Sequence, residues 1–510
     1  MKNNINKLVI AALLICWSIS GCDRKLEVVD KNSPTQESYF KTAAELVNGV
    51  NAVYSNLRGG SIFGREWFFT HDMRGSETAA GGVQLEQPRA EMLNQANAAP
   101  TNAVMTDLFR GTNQMINRAN LVITKAPGVT DNVALRDRVV GEAKFLRAWA
   151  FFELVSQWGD VPMYTEPIES STAFKAKEPA ANIYTQIISD LTDAAAKLPT
   201  SYSGNDRGRV TKGAANALLG RVNMQKGDYA AAKTALLAVY NSGLYSLVNF
   251  QWNFDGEVKD GTTTYGSGGH EYNAESVFEV SFFDKGDNNF NWGYNGEGVN
   301  NPVSNMRPQE YGIVWGNVVP SNRILNEFEA NDPRYKFTFF EEGDLILTRE
   351  GTAPGKAITA GEMNVAASTK GSVTIKRVYR KGSDLEWIQS GFHPGGFNVR
   401  AIRYADVLLM LAECEAEVGT PAQAATYINM VRARPGVAMP AITATTKNEA
   451  LAKVMHERAV ELAGEEVNNI DILRWRKKGY YPLIMADPRP GQTDMLPLPN
   501  AETSANPLVR

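Results

Sequence analysis

The sequence is poor in the residue types that most often mark catalysis or covalent bracing. Its 510 residues include only three cysteines and four histidines. A strong charge of one sign is also missing, because 52 Lys and Arg stand against 56 Asp and Glu, a formal charge of −4. No basic run of five or more residues occurs, so the chain lacks the electrostatic footprint of a nucleic-acid-binding protein. Its one long apolar run, residues 8–17, is too short to span a bilayer as a mature helix.

That apolar run belongs to an export signal. Lys2 and Lys7 flank its start, and Ile19-Ser20-Gly21-Cys22 follows it. These four residues resemble a lipobox, the motif in which the chain is cleaved before the cysteine and the cysteine is acylated. We therefore predict a signal peptide over residues 1–21 and a lipid anchor on Cys22. An ordinary cleavage site beside an incidental cysteine is the alternative.

The cysteine count agrees with this interpretation. Cys16 would leave with the signal, Cys22 would carry lipid, and Cys414 would stay alone in the exported chain. No intramolecular disulfide could then form. Cys414 lies in an apolar helical segment, which favours a buried, unreactive thiol over a nucleophile. With 43% hydrophobic residues the chain can bury a large core, and its stability must come from that core.

The chain divides into helical ends and an irregular middle. A polar tether, residues 22–35, precedes the first periodic segment. Between residues 246 and 400 Gly, Asn, Asp and Thr abound, and only short strand-like runs such as 276–283 and 373–379 stand out. An irregular block of this size in a helical protein favours a functional role. Apolar periodicity predicts helices over residues 36–57, 101–125, 136–157, 179–198, 211–226, 228–241, 401–418, 422–434 and 448–478.

From this pattern we predict a mainly α fold in a single domain, residues 36–510. Its helix pairs occupy residues 36–245 and 401–478, its loop-rich region residues 246–400, and a proline-rich tail residues 479–510. Two predicted helix pairs repeat each other with the spacing of tetratricopeptide repeats, in which small residues let paired helices approach closely. The matching positions are Leu219-Gly220, Gly227, Ala232, Leu236 and Val239 in one pair, and Leu411-Ala412, Gly419, Ala424, Ile428 and Val431 in the other.

Known catalytic motifs are absent from the sequence. His71, His270, His393 and His456 have no second histidine three or four residues on, so no helical zinc site is predicted. The glycine-rich run 351–356 is followed by alanine and offers no hydroxyl to magnesium. No Gly-x-Ser-x-Gly elbow occurs. We expect no metal, no cofactor and no catalysis, although a glycosidase carboxylate pair depends on spatial separation and leaves no sequence spacing to test.

Six segments resemble the SusD/RagB family of nutrient-binding outer-membrane lipoproteins, in the order that the family has them. Together with the lipobox and the helix predicted over residues 36–57, they extend the resemblance over nearly the whole mature chain. They are GEAKFLRAWAFFELVSQWGDVPMYTEP (141–167), GRVTKGAANALLGRVNMQKGDYAAA (208–232), DPRY (332–335), IRYADVLLMLAECEA (402–416), HERAVELAGEE (456–466) with DILRW (471–475), and LPLPNAETSANP (496–507).

The resemblance implies a scaffold of four tetratricopeptide-type helix pairs and a loop-rich layer that carries the ligand site. It also implies a lipid-anchored protein of the outer membrane that faces the cell surface. Such a protein binds an extracellular oligosaccharide or polysaccharide and passes it to a SusC-type TonB-dependent transporter. An oligopeptide-binding lid on the same kind of transporter is the alternative within the family. A glycoside hydrolase and a pure protein scaffold are alternatives from other classes.

A glycan site needs exposed aromatic faces beside groups that hydrogen-bond hydroxyls. Three segments outside the predicted helices have that mixture: residues 66–74, 291–295 and 312–317. For any single aromatic residue in them, local packing is an equally good interpretation. The candidate ligand-binding residues are Trp67, Asp72, Arg74, Trp292, Tyr294, Asn295 and Trp315.

Two other sets of residues are interpreted as structural. Phe145, Trp149 and Phe152 recur at helical spacing and are assigned to the core. An acid–base cluster is expected to be an ion-pair network that ties the last helices together. Its members are Glu457, Arg458, Glu461, Asp471 and Arg474. The chain departs from the usual family pattern at Glu465-Glu466 and Asn468, which leaves the packing around these residues open.

We predict that Cys22→Ala releases the protein from the membrane fraction without unfolding it, because the anchor and its polar tether lie outside the core. Fractionation of cells after a high-salt wash, with a thermal melt of the released protein, measures both effects. A Cys414→Ala variant is the control and should stay with the membranes. A Cys22→Ala protein that still sediments would contradict the lipid anchor.

Overall fold

Helices form most of the regular structure in the computed structural model, which describes residues 39–81, 99–254, 259–260, 263–264, 270–282, 306–311, 316–346, 356–359, 377–381 and 398–510. The helices before the loop-rich region are α1 (Ala43–Leu57), α2 (Glu66–Arg74), α3 (Ala103–Lys125), α4 (Val133–Trp158), α5 (Ala180–Lys197), α6 (Lys212–Lys226) and α7 (Tyr229–Tyr240). Those that follow are α8 (Arg307–Tyr311), α9 (Asn322–Leu325), α10 (Arg334–Thr338), α11 (Tyr404–Val418), α12 (Pro421–Arg432), α13 (Lys447–Leu462), α14 (Asn468–Lys477) and α15 (Asn500–Ala505).

The strands are short and pair two by two in antiparallel fashion. One pair joins β6 (Ser276–Val280) to β12 (Val399–Arg403), with Val280 opposite Val399, and so connects the two ends of the loop-rich region. A second pair joins β1 (Thr78–Ala80) to β7 (Val318–Pro320). The others are β2 (Val161–Pro162) with β3 (Lys177–Glu178), β4 (Lys259–Asp260) with β5 (Thr263–Thr264), β8 (Phe339–Phe340) with β11 (Val378–Tyr379), and β9 (Leu345–Ile346) with β10 (Lys356–Ala357).

Polar residues directly before three of the helices act as caps. The Glu45 backbone N–H donates to Thr42 Oγ1 at 3.3 Å, and the Thr42 N–H donates to Glu45 Oε2 at 2.9 Å, which closes a capping box on α1. Asn102 and Thr211 cap α3 and α6 through their side-chain oxygens. The residues at these positions therefore fix where each helix begins.

The two predicted helix pairs are confirmed as α6 with α7 and α11 with α12. A Cβ atom at Gly220 would lie 2.5 Å from Leu236 Cδ2, so a larger residue there would displace the Leu236 side chain that packs between α6 and α7. Ala232 and Ala424 are fully buried at equivalent positions of the second helices. Gly227 ends α6 with a φ of +96°, a conformation that glycine adopts without strain.

The assigned core is confirmed. Phe145, Trp149 and Phe152 on α4 are at most 1% exposed, and Cys414 on α11 is fully buried. Burial raises the pKa of the Cys414 thiol well above its ordinary value, which keeps it unreactive. In the described residues, we find no helix with the length and apolar character that crossing a membrane would require.

Three predicted boundaries differ from the structure. The single helix expected over residues 448–478 is two, α13 and α14, because the chain turns at Gly464 and Glu466, whose φ angles are +69° and +59°. The helix expected from residue 401 begins at Tyr404, since the preceding residues pair with β6. The first helix, expected from residue 36, begins at Ala43: residues 39–42 are not helical, and residues 36–38 lie outside the described residues.

A buried network of arginines and carboxylates joins the C-terminal helices, as expected. Arg458 on α13 bonds Asp471 on α14 (Nε to Oδ2, 2.6 Å) and Asp406 on α11 (Nη1 to Oδ1, 2.8 Å). Asp406 also accepts from Arg221 on α6. Burial by itself would raise the pKa of Asp406, but Arg221 and Arg458 outweigh it and hold the value at about 2. Four helices thus meet at two carboxylates.

Glu461 on α13 is the second centre of this network. Its carboxylate accepts from Arg403 Nη1 at 2.6 Å and from Arg334 Nη1 at 2.9 Å, and it also pairs with Arg434. All four side chains are at most 1% exposed. Burial opposes ionisation of Glu461, yet the three guanidinium groups hold its pKa well below its usual range. Segments that lie more than a hundred residues apart are joined here.

Glu465 and Asn468, two residues at which the chain departs from the usual family pattern, have hydrogen-bond partners in the structure. Glu465 accepts from Arg403 Nε at 2.6 Å and from Lys381 Nζ at 2.8 Å. Asn468 Oδ1 accepts from the Ser76 backbone N–H at 2.8 Å and from its hydroxyl at 3.0 Å. These residues extend the polar network toward the N-terminal part of the chain.

We predict that Glu461→Ala lowers the free energy of unfolding by about 3–5 kcal/mol, because it leaves buried guanidinium groups without their partner. Urea unfolding monitored by circular dichroism measures the loss. Lys447→Ala on the same helix, whose side chain is 49% exposed, is the control and should stay within about 0.5 kcal/mol of the wild type. Equal midpoints for the two variants would contradict a stabilising role of the network.

Candidate ligand-binding site

The first predicted ligand segment is not a loop but the buried helix α2. All nine of its residues are enclosed. Trp67 is 4% exposed and packs against Phe63 (ring centroids 4.3 Å apart) and Trp149 (6.4 Å). The expectation of an exposed Trp67 ring is therefore wrong for this structure. The reason is that α2 packs between α3 and α14, so aromatic residues on every side of it find apolar partners.

Asp72 and Arg74 on the same helix also face the interior, at 3% and 2% exposure. Asp72 Oδ2 lies 3.8 Å from Arg307 Nη2. Arg74 Nη2 donates to the backbone oxygens of Thr493 and Asp494 at 3.2 and 3.1 Å. Burial, with Arg489 nearby, lowers the pKa of Arg74 to about 10. In this structure the two side chains hold the C-terminal tail and α8 against α2 and offer no surface to a ligand.

The other two predicted segments lie wholly or mainly outside the described residues. Trp292, Tyr294, Asn295 and Trp315 are among the residues that are not described. The flanks of the third segment are described, and they pack on α2: the Tyr311 ring lies 5.2 Å from that of Phe68.

The described end of the third segment is held firmly in place. Asn317 Nδ2 donates to Glu310 Oε2 at 2.7 Å, and Arg65 Nε donates to Glu310 Oε1 at 2.9 Å. The strand β7 that follows pairs with β1, which comes shortly after α2 in the chain. The first and third predicted segments therefore belong to one region of the fold.

An exposed aromatic platform lies elsewhere, at Trp252. Among the tryptophans that the structure describes, Trp252 alone is exposed, at 43%. Its ring stacks on that of His270, with centroids 4.6 Å apart and an interplanar angle of 10°. Trp252 lies in a short 3-10 helix, Phe250–Asn253. An exposed, flat aromatic surface of this kind is what the apolar face of a sugar ring stacks on.

Arg400 on β12 holds the two halves of this platform together. Its Nη2 donates to the His270 backbone oxygen at 2.7 Å, and its Nη1 donates to that of Asn253. Asn273 Nδ2 adds a bond to the Trp252 backbone oxygen at 3.3 Å. The platform is thus fixed by charged and amide groups from the strand pair β6–β12.

The buried phenylalanine of the 3-10 helix anchors the platform from below. Phe250 is fully buried, and the guanidinium carbons of Arg434 and Arg403 lie 5.4 and 5.9 Å from its ring centroid. Lys381 Nζ lies 4.8 Å from the same centroid. These cations belong to the buried network, so the network supports the exposed platform.

Sequence reasoning missed Trp252, although a signal was present. Residues 249–254, Asn-Phe-Gln-Trp-Asn-Phe, combine aromatic and amide side chains at the start of the loop-rich region. This is the same mixture that singled out the three predicted segments. What the sequence lacked was a way to tell the buried Phe250 from the exposed Trp252.

Within the described residues, one group could place three metal-ligating atoms together, at Glu329, His456 and Glu457. Arg432 Nη1 already bonds Glu457 Oε2 at 3.0 Å and pairs with Glu329. His456 Nδ1 lies 2.8 Å from Glu327 Oε1. A guanidinium group therefore supplies the positive charge at this place, and the group extends the ion-pair network.

Solved structures with this fold come from several bacteria. A SusD superfamily protein from Bacteroides vulgatus aligns with a TM-score of 0.72 and 23% identity, covering 92% of this chain and 99% of that one. A laminarin-binding SusD-like protein aligns with a TM-score of 0.70 and 24% identity, covering 91% and 98%. A surface glycan-binding protein from Bacteroides thetaiotaomicron, in complex with laminarihexaose, aligns with a TM-score of 0.69 and 20% identity over 91% and 98%.

Sequence relatives span nearly the whole chain. SusD-like protein P2 of Formosa agariphila is 26% identical over 506 residues, which covers 92% of this chain and 91% of the relative. SusD-like protein P25 of the same organism is 24% identical over 504 residues, covering 92% and 89%. A family model described as starch-binding and associating with the outer membrane matches residues 29–224, and the SusD family model matches residues 274–509. The mainly α architecture, the two helix pairs and these two matches together show that the chain belongs to the SusD/RagB family.

Proposed function

We propose that this protein captures an extracellular oligosaccharide or polysaccharide and passes it, without cleaving it, to a SusC-type TonB-dependent transporter of the outer membrane. The observation that carries the proposal is the Trp252 ring stacked on His270, because Trp252 is the one exposed tryptophan among the described residues. The laminarin-binding relatives and the starch-binding family model support a glycan as the ligand. They leave the sugar and its linkage open.

The two carboxylates at the centres of the buried network, Asp406 and Glu461, are not a hydrolytic pair. A glycosidase needs one carboxyl group that is protonated near neutral pH beside a second that is ionised. Asp406 and Glu461 are instead held ionised by arginines on several sides. Burial raises the pKa of Glu77 to about 8. This residue is only 3% exposed, however, and its Oε2 accepts the Gly464 N–H at 3.1 Å, so its role is structural.

The location of the protein forms the second part of the proposal. A lipid on Cys22 would anchor the chain to the outer membrane, and the tether over residues 22–35 would let the folded body face the cell surface. An oligosaccharide held there would be released to a transporter partner in the same membrane. Co-purification of a TonB-dependent transporter with the anchored protein in detergent would support this arrangement, and its absence after mild solubilisation would oppose it.

Incubation of the purified protein with a glycan array, followed by analysis of the supernatant, tests the binding function. Retention of a glycan without new reducing ends is the expected result. Release of shorter products would indicate a glycoside hydrolase. If no glycan on the array is retained, the oligopeptide-binding or scaffold alternatives would be favoured.

We predict that Trp252→Ala weakens binding of the retained glycan by about 1–3 kcal/mol, because it removes the face on which a sugar ring stacks. The same loss is proposed for Trp292→Ala and Trp315→Ala in the other two predicted segments. Calorimetric titration measures the affinity. Trp252→Phe, which keeps a ring, should retain most of it.

Two core variants are the matched controls. Trp67→Ala and Trp149→Ala should lose about 3–5 kcal/mol of folding stability, because each leaves a cavity in the interior. The exposed Trp252→Ala should melt close to the wild type. If Trp252→Ala binds the glycan as tightly as the wild type does, the platform is not part of the site.

A further inference from the structure

A two-lobed cleft lies between α1, the connection from α5 to α6, and strand β6. Both lobes are lined by the same five residues: Arg207, Gly208, Arg209, Phe278 and Glu279. One lobe has a volume of about 240 Å³ and the other of about 210 Å³. Taken together they fall within the range of roughly 300–1,000 Å³ that is usual for ligand sites. The residues of this cleft are not among those of the Trp252 platform.

Arg58 gives the first lobe an uncompensated positive charge. Its side chain is half-buried, yet in the described part of the chain its guanidinium group makes no ion pair and no hydrogen bond. Burial lowers the pKa of Arg58, and no carboxylate offsets that effect. Arg58 caps the C-terminus of α1, whose partial negative charge is the one feature that favours a cation there.

Arg207 is a second guanidinium group without a carboxylate partner among the described residues. Its central carbon lies 5.1 Å from the centroid of the Tyr272 ring, and its Nη2 donates to the Tyr272 backbone oxygen at 3.3 Å. Arg209 differs, because its Nη1 bonds Glu142 at 2.8 Å and its Nε bonds Asp206 at 2.6 Å.

The one carboxylate that lines both lobes is already engaged. Glu279 accepts from the Tyr272 N–H at 3.1 Å and from Asn398 Nδ2 at 2.8 Å, and it lies 3.4 Å from Arg400 Nε. Among the described residues that line the cleft, Arg58 and Arg207 therefore carry positive charges that no carboxylate balances, although the chain as a whole has a formal charge of −4. A site of this kind favours an anionic ligand.

The second lobe has aromatic walls and an unused hydroxyl group. Tyr202, Tyr245 and Tyr272 line it. The Tyr202 hydroxyl is buried and has no hydrogen-bond partner in the described structure, a costly arrangement that a ligand hydroxyl would relieve. Aromatic rings beside a hydroxyl group and a guanidinium group are suited to a sugar ring.

Gly208 is required for this geometry. Its φ of +95° is unfavourable for other residues, and a Cβ atom there would lie 2.7 Å from the Tyr272 hydroxyl oxygen. This conformation lets Arg207 reach Tyr272 while Arg209 bonds Glu142 on the opposite side. Arg209 therefore has a structural ion pair, whereas the guanidinium group of Arg207 lines the cleft.

We propose that this cleft is a second saccharide-binding site and that it takes an acidic sugar, with Arg58 and Arg207 holding the carboxylate or sulfate group and the tyrosine-lined lobe holding the adjoining ring. The inference rests on the proposed glycan-binding function and specifies the class of glycan. Uronate and sulfate ester share the chemistry that the two guanidinium groups recognise.

The test is calorimetric titration of the full mature chain with two acidic probes and their neutral counterparts. The probes are oligogalacturonate with its methyl ester, and carrageenan oligosaccharides with their desulfated forms. We expect an acidic form to bind more tightly than its neutral form, with an affinity that falls as salt rises. Arg58→Gln and Arg207→Gln should each weaken binding of the acidic form by about tenfold and leave the neutral form unchanged.

Three controls separate the outcomes. Arg110→Gln, at a side chain that is 57% exposed and paired with Asp107, should bind like the wild type, and thermal melts should show that all variants fold. Arg58→Lys and Arg207→Lys should keep part of the affinity.

The probe that binds, uronate or sulfate, identifies the source of the anion. Equal affinity for acidic and neutral forms, or acidic binding that both glutamine variants retain, would overturn the acidic site and leave glycan capture standing. Failure of all four probes to bind would overturn the acidic site, and glycan capture would be overturned as well only if the glycan array also retained nothing.

Discussion

The pairing of buried arginines with buried carboxylates is the interaction on which the rest of this structure depends. Asp406 and Glu461 each take guanidinium groups from several segments, so helices distant in sequence pack in an arrangement that pairs these buried charges. Taking ions out of water is costly, and such a network contributes stability only when every member is bonded. Its value to this fold is that it specifies which segments meet.

The network also links the scaffold to the surface that would meet a ligand. Arg403 and Arg434 hold Glu461 on one side and lie over the Phe250 ring on the other. Phe250 in turn fixes the 3-10 helix that presents Trp252 to solvent. A rigid, charged interior therefore positions an exposed aromatic ring. A ring that is already ordered would bind a ligand without the entropy cost of ordering a loop.

The sequence predicted the scaffold better than the ligand surface, for physical reasons. Apolar periodicity and capping residues act locally, so the repeated pairs and most helices were predicted to within a few residues, whereas the turn at Gly464 and Glu466 and the late start of α1 at Ala43 were not. Trp67 was misjudged because a run of aromatic residues looks the same whether its helix is covered by others or lies at the surface. Trp252 was missed for the converse reason, since its exposure is set by Phe250 and by Arg400, which is far away in the chain.

The presence or absence of a carboxylate partner distinguishes structural arginines from those available to a ligand. Arg334, Arg403 and Arg434 are fully buried, and each is matched by carboxylates from other segments. Arg58 and Arg207 stand at a cleft and have no carboxylate partner among the described residues. A buried arginine can also be held by backbone oxygens alone, as Arg74 is. Arg58 is half-buried and has neither kind of partner among the described residues, and Arg207 is exposed at the same cleft, so both charges are available to something that the cleft receives.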